Sequence, residues 1–265
     1  MKICHLIGRA RKRLAFFRAP ILAVALAAWG AGSTLAHAGT FSVNPVRVTL
    51  SAKQPVAAIT VRNGGTEPAV VQLESSAWTQ DQGKDVLNPN ADLLATPPIF
   101  TLPPGGSQIV RVGLRQARSS SSESTYRLVL REVPPANKPQ GVHVTLMISM
   151  PVFVVPATPI KPELVWSAAR VADGKVRVVA TNHGTAHVQL GKLNLATGSG
   201  QVVGTRTVSE YVLPGNSKSW LVDAPSGLEA SASVQILSTS DAGDLKSTVA
   251  LESGLAANPD ARSSR

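Results

Sequence analysis

Val142-His143-Val144-Thr145-Leu146-Met147-Ile148-Ser149-Met150 puts Val142, Val144, Leu146, Ile148 and Met150 on one face and mostly polar residues on the other. A period of two belongs to a β-strand, whose successive side chains point to opposite faces. The same texture runs outward from this stretch in both directions. From Phe41 onward, short runs rich in Val, Ile, Leu and Thr are separated by Gly, Pro, Asn and Asp clusters, with no sustained helical period. The chain therefore reads as an all-β protein.

The first half offers seven such runs: Phe41 to Leu50, Val56 to Asn63, Ala69 to Trp78, Ile99 to Leu102, Ser107 to Leu114, Thr125 to Val133 and Val142 to Val155. Seven short strands in this length predict an immunoglobulin-like sandwich. Asn63-Gly64-Gly65, Asn88-Pro89-Asn90, Pro103-Pro104-Gly105-Gly106 and Pro134-Pro135 supply the turn chemistry between them. The proline-rich run from Pro156 to Pro162 cannot continue a ladder and marks a domain junction. Beyond it a second β pattern comprises Leu164 to Arg170, Lys175 to Asn182, Ala186 to Asn194, Arg206 to Leu213, Ser217 to Val222, Ala230 to Ser238 and Ser247 to Leu251. The expected layout is a leader over 1–38, a first domain over 39–158, a second over 159–254 and a mobile polar tail over 255–265.

The leader follows from charge and hydropathy. Of 26 basic residues against 16 acidic, six (Lys2, Arg9, Arg11, Lys12, Arg13 and Arg18) crowd the first 18 positions. An apolar run from Ala19 to Trp29 and then Ala36-His37-Ala38 complete the pattern of a secretory signal, with Gly39 as the first mature residue. The run is shorter than the roughly 18 to 20 residues of a membrane span, so no stable membrane insertion is expected after cleavage. Without the leader 20 basic residues face 16 acidic ones, and the case for a nucleic-acid partner fades with it. Cys4, the one cysteine, departs as well. Disulfides, cysteine-based zinc sites and thiol chemistry are then excluded, and stability rests on packed cores.

Little points to catalysis. His143, His183 and His187 are the histidines after the leader, and the four-residue spacing of the last two does not place both on one face in β context. No nucleophile elbow, P-loop, dinucleotide fingerprint or zincin motif occurs, the serines at 119–122 and 124 read as a loop, and the acids are scattered singly. The expectation is no enzyme, no catalytic residues, no metal and no cofactor.

Tyr126-Arg127-Leu128-Val129-Leu130-Arg131-Glu132-Val133-Pro134-Pro135, standing just before the alternating strand, resembles the F-strand signature of the periplasmic pilus (fimbrial) assembly chaperones, the PapD-like family. Ala95-Thr96-Pro97-Pro98-Ile99-Phe100-Thr101-Leu102-Pro103-Pro104-Gly105 is similar to that family's D-to-E region, and Gln108-Ile109-Val110-Arg111-Val112 to its E strand. Ala77-Trp78 resembles its core tryptophan on strand C, and Val46-Arg47-Val48 falls where the family keeps an arginine. The resemblance covers most of Phe41 to Pro162 and, more loosely, the second domain.

It implies two immunoglobulin-like β-sandwich domains arranged in an L with an interdomain cleft, and a partner set of pilus or fimbrial subunits and an outer-membrane usher. In the family the G strand of the first domain completes an unfinished subunit sandwich; here Val142, Val144, Leu146 and Ile148 are the residues implied. Arg47 is implied as the anchor for the subunit's C-terminal carboxylate, and Arg111, Glu123 and Asp241 as an interdomain ion network. Localisation would be periplasmic, with strand exchange driven by the subunit completing its fold rather than by a cofactor. Two departures stand out. Pro151 occupies the position where many members place a second, lysine anchor, and the Pro-Val-Phe-Val ending is more like the archaic branch. The disulfide of some relatives' second domain cannot form here. Two other readings compete: a structural β-sandwich such as a pilus subunit or adhesin, which would be a shorter single sandwich, and a secreted carbohydrate-binding or hydrolytic protein. The latter calls for an aromatic platform or clustered acids in a chain that is 4% aromatic.

Overall fold

Alternating apolar side chains build two sandwiches in succession. The computed structural model describes residues 41–116, 120–134, 144–171, 173–224, 228 and 233–252. The first sandwich contains β1 (Phe41–Asn44), β2 (Val48–Ser51), β3 (Val56–Asn63), β4 (Ala69–Asp81), β5 (Lys84–Pro89), β6 (Leu93–Thr96), β7 (Ile99–Leu102), β8 (Ser107–Leu114), β9 (Ser124–Val133) and β10 (Met147–Val155). The second contains β11 (Leu164–Val171), β12 (Lys175–Asn182), β13 (Val188–Ala196), β14 (Val202–Val212), β15 (Ser217–Asp223), β16 (Ser233–Ser240) and β17 (Leu245–Glu252).

In the first sandwich a sheet of order β1-β3-β8-β6 faces one of order β2-β10-β9-β4-β5, with β7 also on β4. Leu50, Ile59, Val61, Val71, Val110, Val112, Leu128, Met150 and Val152 fill the space between them. In the second the strand path is β14-β13-β16-β17-β11-β12-β15, closed over Trp166, Val178, Leu190, Leu193, Leu195, Trp220, Val222 and Ile236. Fully burying a side chain of this kind contributes about 1.5–3 kcal/mol, so these two cores carry the fold without a disulfide.

One turn device serves both domains. Buried Asn63 donates through Nδ2 to the carbonyls of Glu67 and Leu102 and accepts from the Gly65 amide at 2.9 Å. Buried Asn182 donates likewise to Ala186 and Val212 and accepts from the Gly184 amide at 2.9 Å. At Gly184 a Cβ would lie 2.3 Å from the Lys161 carbonyl oxygen, so only glycine fits between this turn and the linker.

Three expectations change. The run from Phe41 to Leu50 is two strands in different sheets, because Pro45 has no N–H for a continuous ladder and bends over residues 45–47 carry the chain across. β5 and β6 were not expected; β5 is mostly exposed on both faces and so lacks an apolar alternation to betray it. The ladder of β10 begins at Met147 rather than at Val142, which lies outside the described residues.

Candidate functional site

β10 is buried by degrees. Val152 and Met150 belong to the core, Ile148 packs partly against it, Leu146 is half-buried, and Val144 is 62% exposed. Leu146 and Ile148 line a narrow recess with Phe41, Val61, Val71 and Leu130, so they sit at the mouth between the two sheets. On one side β10 pairs antiparallel with β9 from Met147/Arg131 to Val154/Ser124. On the other it pairs in parallel with β2 only over Val152 to Val155. From Met147 to Pro151, that second edge has no strand partner among the described residues. Just before it, the Leu146 carbonyl accepts from the Glu132 amide and the Leu146 amide donates to Glu132 Oε2, both at 2.9 Å, which holds the approach to the strand extended.

The other face of β10 serves a different purpose. Phe153 is buried where an alternating strand would place a solvent-facing residue, and it packs with Trp78, Leu213 and Tyr211 in a cluster drawn from both sandwiches. Trp78 is thus not a residue of the sandwich core, as the resemblance implied. On β4 it has the opposite parity to Val71 and Leu73, and a period of two turns it toward the second sandwich. The Arg127 guanidinium lies 3.7 Å from the centre of the Trp78 ring, and burial lowers its pKa from the ordinary arginine value. Gln80 ties the same contact by its side-chain amide, donating to the Tyr211 carbonyl at 2.8 Å and accepting from the Leu213 amide at 3.0 Å. Lys218 of the second sandwich lies 3.4 Å from Asp85 of the first and 3.0 Å from Glu210 of its own.

A chain of charges crosses the joint beside this cluster. Arg47 donates through Nη1 to Asp241 Oδ2 at 2.7 Å, with its side chain 42% exposed. Asp241 also accepts from the Gln189 amide at 2.8 Å and lies 3.6 Å from His187 Nε2. His187 Nδ1 lies 2.6 Å from Glu123 Oε2, and the His187 backbone amide donates to the same oxygen at 2.9 Å. Glu123 in turn donates its amide to the Thr185 carbonyl at 2.9 Å. The His187 ring is stacked on Phe153, with centroids 3.5 Å apart and planes 6° from parallel. Burial opposes protonation of His187, but its bonds to Asp241 and Glu123 prevail and raise its pKa above the ordinary 6.5. Burial likewise opposes ionisation of Asp241, and His187, the Gln189 amide and Arg47 together bring its pKa down to about 2. The two carboxylates occupy opposite ring nitrogens instead of converging on one point, and among the described residues no His/Cys/Asp/Glu cluster can hold a metal ion.

The structure therefore brings together Arg47, Glu123 and Asp241, and the side chain between the two acids is His187. Arg111 is elsewhere. It lies exposed on β8 between Val110 and Val112, both fully buried, so alternation turns it away from the core in the sheet that lacks β10. Arg47 sits one residue before Val48, the partner of Val152, while Arg127 is directly opposite Pro151 on β9. His187 and Phe153 were missed as joint residues. An aromatic at the outward position of an alternating strand was the available signal for Phe153, since such a residue needs a cover; nothing local marks His187.

Residues 40–159 match the family model of the pili and flagellar-assembly chaperones, PapD N-terminal domain. The chain is 27% identical over 107 residues to the Chaperone protein CssC of Escherichia coli, a stretch covering 40% of this chain and 42% of that one. The match thus spans less than half the length of that relative. Among solved structures, the CsuC–CsuE chaperone–tip adhesion subunit pre-assembly complex from archaic chaperone-usher Csu pili of Acinetobacter baumannii gives a TM-score of 0.59 at 21% identity, covering 82% of this chain and 100% of that chain. The Salmonella enterica SafA pilin in complex with the SafB chaperone gives 0.54 at 19% identity, covering 78% and 95%. These likenesses are of fold, two immunoglobulin-like sandwiches in one chain.

Proposed function

We propose that the chain, whose first sandwich matches the family model of the PapD N-terminal domain, works as a PapD-like pilus-assembly chaperone: it captures pilus subunits in the periplasm by donor-strand complementation and delivers them to an outer-membrane usher. The observation that carries this reading is the edge of β10 from Met147 to Pro151, without a strand partner among the described residues and bordered by half-buried Leu146 and Ile148. An incomplete sandwich that accepted this edge would gain a main-chain ladder, and pockets in it would take alternate side chains. Val142, Val144, Leu146 and Ile148 are the side chains assigned to those pockets. Pro151 suits an edge strand, where one missing N–H is tolerated.

Arg47 is assigned to the subunit's C-terminal carboxylate. It stands beside Pro151, is partly exposed, and already holds a carboxylate in Asp241, the planar guanidinium being well shaped for such a partner. Residues 1–38 are assigned as the signal that sends the chain to the periplasm, and no cofactor is required. The test is to express the full-length chain in its own host and weigh native complexes from the periplasmic fraction by mass spectrometry. A complex of about one to one with a small secreted β protein, lost on Leu146→Asp, is the expected result. A lone monomer under pilus-producing conditions overturns the reading.

A further inference from the structure

Glu123 has a side chain only 2% exposed, yet the partner placed against it is a histidine, whose charge, unlike that of a lysine or arginine, depends on pH in the physiological range. Four side chains alternate in sign along the joint: Arg47 of the first sandwich, Asp241 and His187 of the second, and Glu123 of the first. With His187 protonated, the two cations balance the two anions and both ring nitrogens donate, one toward each carboxylate. A neutral imidazole has one N–H. If Nδ1 keeps it, the lone pair of Nε2 faces Asp241; if Nε2 keeps it, a lone pair at Nδ1 faces the Glu123 carboxylate at 2.6 Å. Either way the pair of carboxylates, of which Glu123 is almost fully buried, carries an unbalanced negative charge, a costly arrangement where water is excluded.

From this geometry we propose that His187 is an acid-strengthened latch between the two sandwiches, closed when the ring is protonated and loosened when it is neutral. The inference is independent of any pilus partner. Every element packed around the ring fits it. Glu123 precedes β9, Asp241 follows β16, and Arg47 enters from the bend before β2, where it bonds both Asp241 and Tyr211. Tyr211 of β14 lies 5.5 Å away with a pKa raised by burial, so it stays neutral across the range concerned. Phe153 of β10 covers one face of the ring and carries no charge. The raised pKa of His187 fixes the sign: its contribution is complete below about 6.5, the unfolded value, and is lost as the pH rises through the folded one. The depressed pKa of Asp241 sets the other limit, with its contribution present above 3.8 and lost as the pH falls toward about 2.

The experiment uses the mature chain and needs no ligand. The His187 ring is titrated by NMR, and melting temperature and small-angle scattering are recorded at pH 5.5 and pH 8.5 for the wild type, His187→Gln and His187→Arg. The expected results are a ring that titrates above the ordinary histidine value and a wild-type melting temperature about 2–4 °C lower at pH 8.5. The loss should be absent in both variants, and His187→Arg should keep the wild-type acid scattering profile at both pH values. A ring titrating at or below the ordinary value, or the same pH dependence in His187→Gln as in the wild type, overturns the proposal. If His187→Gln does not fold, the ring titration and His187→Arg decide it.

Discussion

β10 and β17 are each the last strand of a sandwich, and each meets an early strand of its own domain in parallel, β10 along Val152 to Val155 and β17 at Leu251 and Glu252. Each leaves a stretch of one edge without a strand partner among the described residues. Their side chains differ. β17 carries Lys246 and Glu252 on its exposed face, and its inward positions include Ser247. β10 and the residues leading into it carry no charge from Val144 to Val155, and Met147 is 59% exposed on the outward face. Charges on an edge strand normally guard it against pairing with another chain. One edge of this protein has that guard and the other does not, and the unguarded one has the half-exposed apolar row beside it. The difference teaches that openness of a strand edge is not enough to nominate it for binding; the absence of a guard is the informative part.

The most damaging test of the comparison concerns the buried end of β10. Met150→Ala should cost about 2–5 kcal/mol in urea or thermal unfolding, as for a buried methionine elsewhere, because Met150 belongs to the core. A negligible loss would mean that the burial gradient along β10 is not real. Leu146→Asp should leave the melting transition nearly in place and weaken subunit capture at least tenfold, since each apolar side chain buried in a partner contributes about 1.5–3 kcal/mol. Global unfolding instead would make Leu146 ordinary core and erase the contrast with Met150.

Arg47→Ala sharpens the comparison by asking whether the β10 edge acts together with a charge beside it. The expected outcome is a lower yield of subunit complex by pull-down, with the far-UV β signal intact, and by about 1.5–3 kcal/mol if the carboxylate contact is made. Normal yield would leave the strand as the whole site. The smallest effect is expected from Lys246→Met, which removes a guard from β17. Stability should stay within about 0.5 kcal/mol, while sedimentation velocity should show more self-association than the wild type. Met147→Lys should move β10 the opposite way, and indifference of both variants would show that edge charge does not govern pairing here.

How much of this was legible depends on range. Val56–Asn63, Ile99–Leu102, Ser107–Leu114 and Lys175–Asn182 are readable to the residue, because alternation between glycine- or proline-marked turns is a local property. The split between β1 and β2 was not, since one apolar run serves two sheets and only the bend at Pro45 separates them. β5 was hidden because a strand exposed on both faces need not alternate. Of the site, Leu146 and Ile148 stand out from the strand's own pattern, whereas Arg47, Glu123 and Asp241 came from resemblance. His187 was invisible, its partner Glu123 being 64 positions away.

By itself the sequence determined that the chain is built of strands, where most of them turn, and that one of them ends in an uncharged apolar run. Side-chain parity and turn propensity act within a few residues, so they survive in a linear reading. Only the tertiary structure decided which edge stays open, that Trp78 and Phe153 face the joint, and that His187 rather than Arg111 stands between Glu123 and Asp241. Charge pairing depends on which strand faces lie within a few ångströms of each other, and that distance is set by the packing of two whole sandwiches.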